Sequence, residues 1–170
     1  RSGSHMLVAG EKARDAQEAR QNLAEILESG KAINKFRELI AAQGGDDSFM
    51  DGKGSLPQAS NIVEVRADRD GFVTRMDAER LGRAAMMLGA GRETKDSQID
   101  LAAGIMLRVK MGDWVEAGHV LAELHTNRST EVVQAVAKDV KNHIELSERK
   151  ASAEPFLYAV VTKEGLNRYV

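Results

Sequence analysis

The chain has 170 residues, of which 42% are hydrophobic and 29% charged, the composition of a soluble globular protein with room for one ordinary domain or a small domain plus part of another. A formal net charge of −2 argues against a phosphate-backbone binder, which displays a strongly basic face, so no nucleic-acid partner is expected. Cysteine is absent, which excludes disulfides, thiolate metal sites and thiol catalysis. The longest apolar runs, such as LAAGIML at 101–107, are too short to span a bilayer, and the start carries no secretory pattern. A cytoplasmic protein with no membrane partner is the expectation.

Residues 1–6, RSGSHM, read either as an expression-vector remnant or as native sequence that coincides with one. Helix-like sequence follows at once. Asp15 to Glu18 fits a capping box, and Ala16, Ala19, Leu23, Ile26 and Leu27 recur at helical spacing up to Gly30. A second helix, about 31–42, places Ile33, Phe36, Leu39 and Ile40 on one face and stops at Gly44-Gly45. Two helices with single apolar stripes make no sizeable core alone, so residues 7–45 are expected to be the terminal helices of an α/β domain whose sheet lies elsewhere. The Gly-, Asp- and Ser-rich stretch from Gly44 to Ser60 reads as a boundary, with 46–58 as the linker.

Beyond it the hydrophobic period changes. NIVEVRA (61–67) alternates as a strand, DRDG (68–71) reads as a turn, and FVTRM (72–76) as the return strand of a hairpin. Asp77 caps a short helix with Leu81, Ala84, Ala85 and Leu88 on one face, where Met86 and Met87 are expected to fill core. Strands follow over 99–109 and 120–126, then a helix over 130–146 with Val133, Val136, Val140 and Ile144 inward, and a last strand over 156–162. This order predicts an α+β domain over 59–170, with a barrel-sandwich-like sheet and flanking helices.

GDWVEAGHVLAEL (112–124) is similar to the edge of lipoyl and biotinyl carrier domains, in which a lysine just beyond the strand bears the cofactor. HTNR (125–128) fills that place here. Arginine stays protonated at neutral pH and is a poor nucleophile, so Arg128 cannot be acylated. Gly112 and Gly118 are then turn residues of a scaffold. A non-enzymatic lipoyl- or biotinyl-like binding module remains the alternative reading.

Several stretches occur in one order: KFRELIAAQGGD (35–46), LPQA (56–59), DGFV (70–73), AAMMLGAGR (84–92), IDLAAGI (99–105), GDWVEAG (112–118) and LAELHTN (121–127). The series resembles the C-terminal part of the bacterial pyrimidine-nucleoside phosphorylase and thymidine phosphorylase family. The resemblance implies a homodimeric enzyme that splits a pyrimidine nucleoside with inorganic phosphate into base and pentose 1-phosphate. It also implies that the phosphate- and base-gripping residues lie upstream in the family, with no catalytic or substrate-binding residue in this chain. This chain alone is then expected to be inactive, supplying scaffold and domain-closure elements.

Two further features follow from the same resemblance. Glu11 matches the glutamate that helps hold a structural monovalent cation (K+), although a solvated glutamate in a first helical turn would look the same. No other cofactor is implied. GAGRETKDSQ (89–98) matches the loop that becomes ordered as the family's domains close, which singles out Gly89, Gly91, Arg92 and Lys95. The four histidines, His5, His119, His125 and His143, show neither relay spacing nor ligand pairing.

Overall fold

A computed structural model describes residues 2–92, 94–150, 158–163 and 165–168. It divides into two compact units, Arg1–Leu56 and Pro57–Val170. The expected last strand's Phe156 and Leu157 lie outside the described residues.

The first unit holds three helices: α1 (Ser2–Ala9), α2 (Ala16–Glu28) and α3 (Lys31–Ala42). The first of these was not legible from periodicity, because Ser-Gly-Ser-His offers no apolar stripe. It packs on α2 through its small residues: Ser4 is buried, and a Cβ on Gly3 would lie 3.3 Å from Leu23 Cδ1. Asp15 caps α2, accepting from the backbone N–H groups of Gln17 and Glu18 at 2.9 Å each. Glu18 reaches back one residue further than a capping box requires, to the Arg14 N–H at 2.8 Å. Gly30 and Gly44 take positive φ (75° and 74°) at the helix junctions. Ile26, Leu27, Ile33, Phe36 and Leu39 are exposed, so these apolar positions of α2 and α3 are left uncovered by the described residues of the first unit.

The stretch that reads as linker is largely folded. Gly44 opens it, Asp46 accepts from Ser48 N at 2.9 Å just before a 3-10 turn (Ser48–Asp51), and Arg37 of α3 grips Asp47 and Asp51 at 2.9 and 2.5 Å.

The second unit contains β1 (Asn61–Arg66), β2 (Gly71–Met76), α4 (Ala78–Ala85), a π-helical turn (Met86–Ala90), β3 (Gly104–Leu107), β4 (Trp114–Val115), β5 (Val120–Thr126), α5 (Thr130–Asn142), β6 (Ile144–Ser147), β7 (Ala159–Thr162) and β8 (Gly165–Arg168). Two three-stranded antiparallel sheets have the orders β1-β5-β3 and β4-β2-β6, and β7-β8 is a separate hairpin. The unit is α+β, as expected. Its core joins Val65 of the first sheet, Val73 and Val115 of the second, Leu88, the β5 residues Leu121 and Leu124, and Val136 and Val140 of α5.

The expected hairpin of 61–67 with 72–76 does not form. β1 pairs with β5 and β2 with β4 and β6, so DRDG carries the chain from one sheet to the other. Its polar groups bond outward: Asp70 accepts from Ala117 N at 2.7 Å and Arg69 donates to Leu146 O at 2.6 Å. Both strands thereby turn their valines into one core from opposite sides, which a two-stranded ribbon could not do.

Three other expectations are corrected. The helix over 130–146 ends at Asn142, and Ile144 is buried on β6, paired with Met76. The strand over 99–109 shrinks to four residues, because Asp100 organises a turn just before it. Met87 is 43% exposed and fills no core. Leu88 stays on the buried face of Ala84, four residues before it, and Met87, one residue off that face, turns out.

Candidate functional site

The richest polar constellation lies where β5 leaves the first sheet. Thr126 is fully buried, and its hydroxyl donates to Leu88 O at 2.7 Å while accepting from Arg128 N at 3.0 Å. One residue on, Asn127 donates through Nδ2 to Asp100 Oδ2 at 2.8 Å and accepts from Ser60 N at 2.8 Å. Asp100 also accepts from Ala102 N at 2.9 Å, and its own N–H donates to Gly89 O at 2.9 Å. A buried hydroxyl and a carboxylate with two donors thus join Ser60, Leu88–Gly89, Asp100 and the end of β5.

From this node springs the loop that contains the expected closure residues. Gly89 is buried at its base with φ 113°; a Cβ there would meet Asp100 and Ala103 side-chain carbons at 3.3 and 3.5 Å. Glycine is needed both for the conformation and for the close approach. Gly91 instead has extended backbone, with Met86 Cγ 3.0 Å from where a Cβ would stand. Arg92 and Lys95 are exposed. A small turn stiffens the far side, with Ser97 N donating to Thr94 O at 3.1 Å and Thr94 N to Ser97 Oγ at 3.0 Å. The structure therefore brings Gly89 and Gly91 together at the base and puts both cations in solvent. Residue 93 lies outside the described residues.

Glu11 stands apart, in the first unit. It has φ 55°, the left-handed position that glycine usually takes after a helix. Glu11 N donates to Val8 O at 3.0 Å and Lys12 N to Leu7 O at 2.8 Å, the two bonds of a Schellman ending. Holding a side chain there costs roughly 1–2 kcal/mol. The shallow depression beside it, about 470 Å³, is also lined by Lys12, Arg14 and Glu18. Arg14 and Glu18 form an ion pair at 2.9 Å within it.

The carrier-like stretch turns on its glycines. Gly112 and Gly118 have φ of 87° and 86°, and their N–H groups donate to Val73 O and Ala67 O at 2.7 and 2.8 Å. They thereby clip the turn to both sheets. After Thr126 the chain runs into α5 rather than into a hairpin tip. On the outer face of β5, Glu123 takes a two-pronged grip from Arg108 at 2.9 and 2.7 Å, which, with a smaller effect from His125, holds its carboxyl below the usual range. Among the described residues no group of three or more His, Asp or Glu converges to hold a metal ion, and no helix is long and apolar enough to cross a membrane.

Asp100, Thr126 and Asn127 escaped sequence reasoning as site residues. The only local signal was an aspartate two residues before Ala102, the spacing of an Asx turn. The partners that join them lie 27, 38 and 67 residues away along the chain, beyond the reach of any local pattern.

The second unit, two small antiparallel sheets around a shared core with α5 packed in, defines an α+β domain, and comparison with known families identifies it. Residues 72–147 match the family model described as "Pyrimidine nucleoside phosphorylase C-terminal domain". The chain is 41% identical over 161 residues, 95% of its length, to a pyrimidine-nucleoside phosphorylase of Staphylococcus epidermidis. It is 43% identical over 156 residues, 92% of its length, to that of Geobacillus stearothermophilus, and 43% over 161 residues, 95%, to that of Bacillus subtilis. It spans 36% of the length of each of these relatives. The chain belongs to the pyrimidine-nucleoside phosphorylase family, as a C-terminal part of it.

Proposed function

We propose that this chain serves as the C-terminal part of an enzyme that transfers the pentosyl group of a pyrimidine nucleoside to inorganic phosphate, giving free base and pentose 1-phosphate. The observation that carries this reading is the likeness to pyrimidine-nucleoside phosphorylases along 95% of the chain. Such a displacement needs phosphate and nucleoside aligned and the developing charge on the leaving base stabilised. In this reading those groups come from the part of the enzyme that the relatives have beyond the matched third. The present chain supplies a rigid scaffold, read as a barrel-sandwich, and the loop with Gly89, Gly91, Arg92 and Lys95, whose cations would approach an anionic cleft as the domains close. Glu11 would contribute to a structural K+ site, and the whole enzyme would be a homodimer. The uncovered face of α2 and α3 suits a role as the last helices of a larger α/β domain.

The test is a chimaera. The matched segment of the Bacillus subtilis relative is replaced with this chain, and base release from uridine and thymidine in phosphate is followed by chromatography. Retained phosphorolysis in the chimaera, with none from the chain alone, is the expected result. A chimaera that folds and dimerises like its parent yet is inactive would overturn the reading, as would turnover by the isolated chain.

A further inference from the structure

The two ends of the excursion from Gly91 to Ile99 are tied to consecutive residues of one strand end. At the near end, the Thr126 hydroxyl holds Leu88 O at 2.7 Å. At the far end, Asn127 Nδ2 holds the Asp100 carboxylate at 2.8 Å. The ends also bond to each other, Asp100 N to Gly89 O at 2.9 Å. Asn127 is itself oriented by Ser60 N, so its amide cannot flip without losing an acceptor for that donor. Its bond to Asp100 is charge-assisted and stronger than a neutral pair.

We propose that Asp100 and Asn127 are a positioning pair: they hold the mouth of the 91–99 loop closed, with Arg92 at its near end and Lys95 in the preformed Thr94–Ser97 turn. Fixing the ends of a loop removes part of the conformational freedom that ordering must otherwise overcome. The loop then needs few further contacts to become fully ordered over substrate, and catalysis depends on a pair that acts only through the loop. The catalytic half of this inference rests on the closure reading given above; the structural half does not.

A charge exchange tests it. Asn127→Asp leaves an acceptor for Ser60 N but sets carboxylate against carboxylate at the mouth. Adding Asp100→Asn restores one amide facing one carboxylate with the polarity reversed, and Ala102 N keeps its acceptor. In the chain as it stands, hydrogen exchange of the amides of 94–99 should quicken about fivefold to tenfold in Asn127→Asp, the factor expected of one partly exposed charge-assisted bond. The double variant should return to within about twofold of the parent, and Val120–Leu124 should be unchanged throughout. Unaltered exchange in the single variant, or no recovery in the double, overturns the pair. In an active chimaera, kcat should fall and recover in the same pattern, with the KM for phosphate changing less. A loop loosened without any effect on kcat refutes the catalytic half alone. An inactive parent chimaera refutes the proposed function instead, and leaves the exchange result to decide the pair.

Discussion

The two units use the same apolar residues to opposite ends. Among the described residues of the first, only Ser4 and Ala19 are buried, and Leu27 of α2 is 70% exposed. In the second, Leu124 of β5 is fully buried amid residues from both sheets. Periodicity tells which face of an element is apolar; whether that face is covered depends on what else folds with it. Helices in line present one stripe each, whereas two sheets and a helix close on a common interior.

The sharpest way to break this comparison is to truncate the same residue type in each unit. Leu124→Ala should lower the stability of the second unit by about 2–5 kcal/mol, because it removes packed atoms and leaves a cavity. Leu27→Ala should change that of the first by no more than about 0.5 kcal/mol. Urea unfolding followed by Trp114 fluorescence reports the second unit; helical circular dichroism reports both, so the part of its change that does not track Trp114 reports the first. Comparable losses in both would mean that the α2 face is covered in solution, by association of chains for example.

Backbone conformation gives a second, smaller contrast. Gly89 and Glu11 both have positive φ, one buried in the second unit and one exposed in the first. Gly89→Ala should destabilise by about 1–3 kcal/mol, since the new carbon is strained and meets Asp100. Glu11→Gly should cost nothing or stabilise by up to about 1 kcal/mol, relieving the left-handed strain. Thermal unfolding of the two variants checks both signs. If Glu11→Gly is clearly destabilised, its side chain is holding something, and comparing melts in potassium and in choline salts shows whether that is a cation.

These contrasts also show what could be read in the sequence. The capping residues Asp15 and Asp77, the inward valines of α5 and the turn glycines 112 and 118 all follow from local chemistry, and the structure places them as read. The partition of β1 and β2 into different sheets was not legible. A two-residue-period strand, a polar turn and another strand describe a hairpin and a crossover equally well, and only the distant partners β5 and β6 decide. The node at Asp100 was hidden for the same reason. Its residues are unremarkable singly, and only the fold brings them into one hydrogen-bonded set.

A third prediction concerns the end of the first unit, which composition marks as open but which is folded up to about Gly54. Limited proteolysis should cut first within 55–60 and spare 44–54, where Gly45 and Gly54 are too closely packed to admit a side chain without displacement. Arg37→Ala, which releases Asp47 and Asp51 together, should open 46–54 to cleavage. First cutting of the unsubstituted chain inside 46–54 would show that the Arg37 grip does not hold in solution.

The smallest expected effect is on pH dependence, and it separates the units once more. Asp15 and Asp77 cap α2 and α4, and both carboxyls are held below the usual range, chiefly by the N–H of Glu18 for Asp15 and of Arg80 for Asp77. A carboxyl whose folded pKa is depressed contributes stability that is present above its unfolded value near 3.9 and is lost as pH falls through the folded value. Glu18, also depressed, through the N–H and side chain of Arg14, adds to the same trend at the start of α2. The direction is therefore the same in both units, but the consequence differs. α4 is anchored in the core by Ala84, and the π-helical turn that continues it by Leu88, so losing the Asp77 cap should leave it helical. α2 has only Ala19 buried, so its first turns should fray in acid. Helical circular dichroism should thus decline modestly between about pH 5 and 2. Asp15→Asn keeps a good cap that does not titrate, and should remove part of that decline while leaving the neutral-pH signal unchanged. Asp77→Asn should leave the curve as it was. A curve that responds to Asp77→Asn and ignores Asp15→Asn would place the weaker helix in the second unit and reverse the comparison.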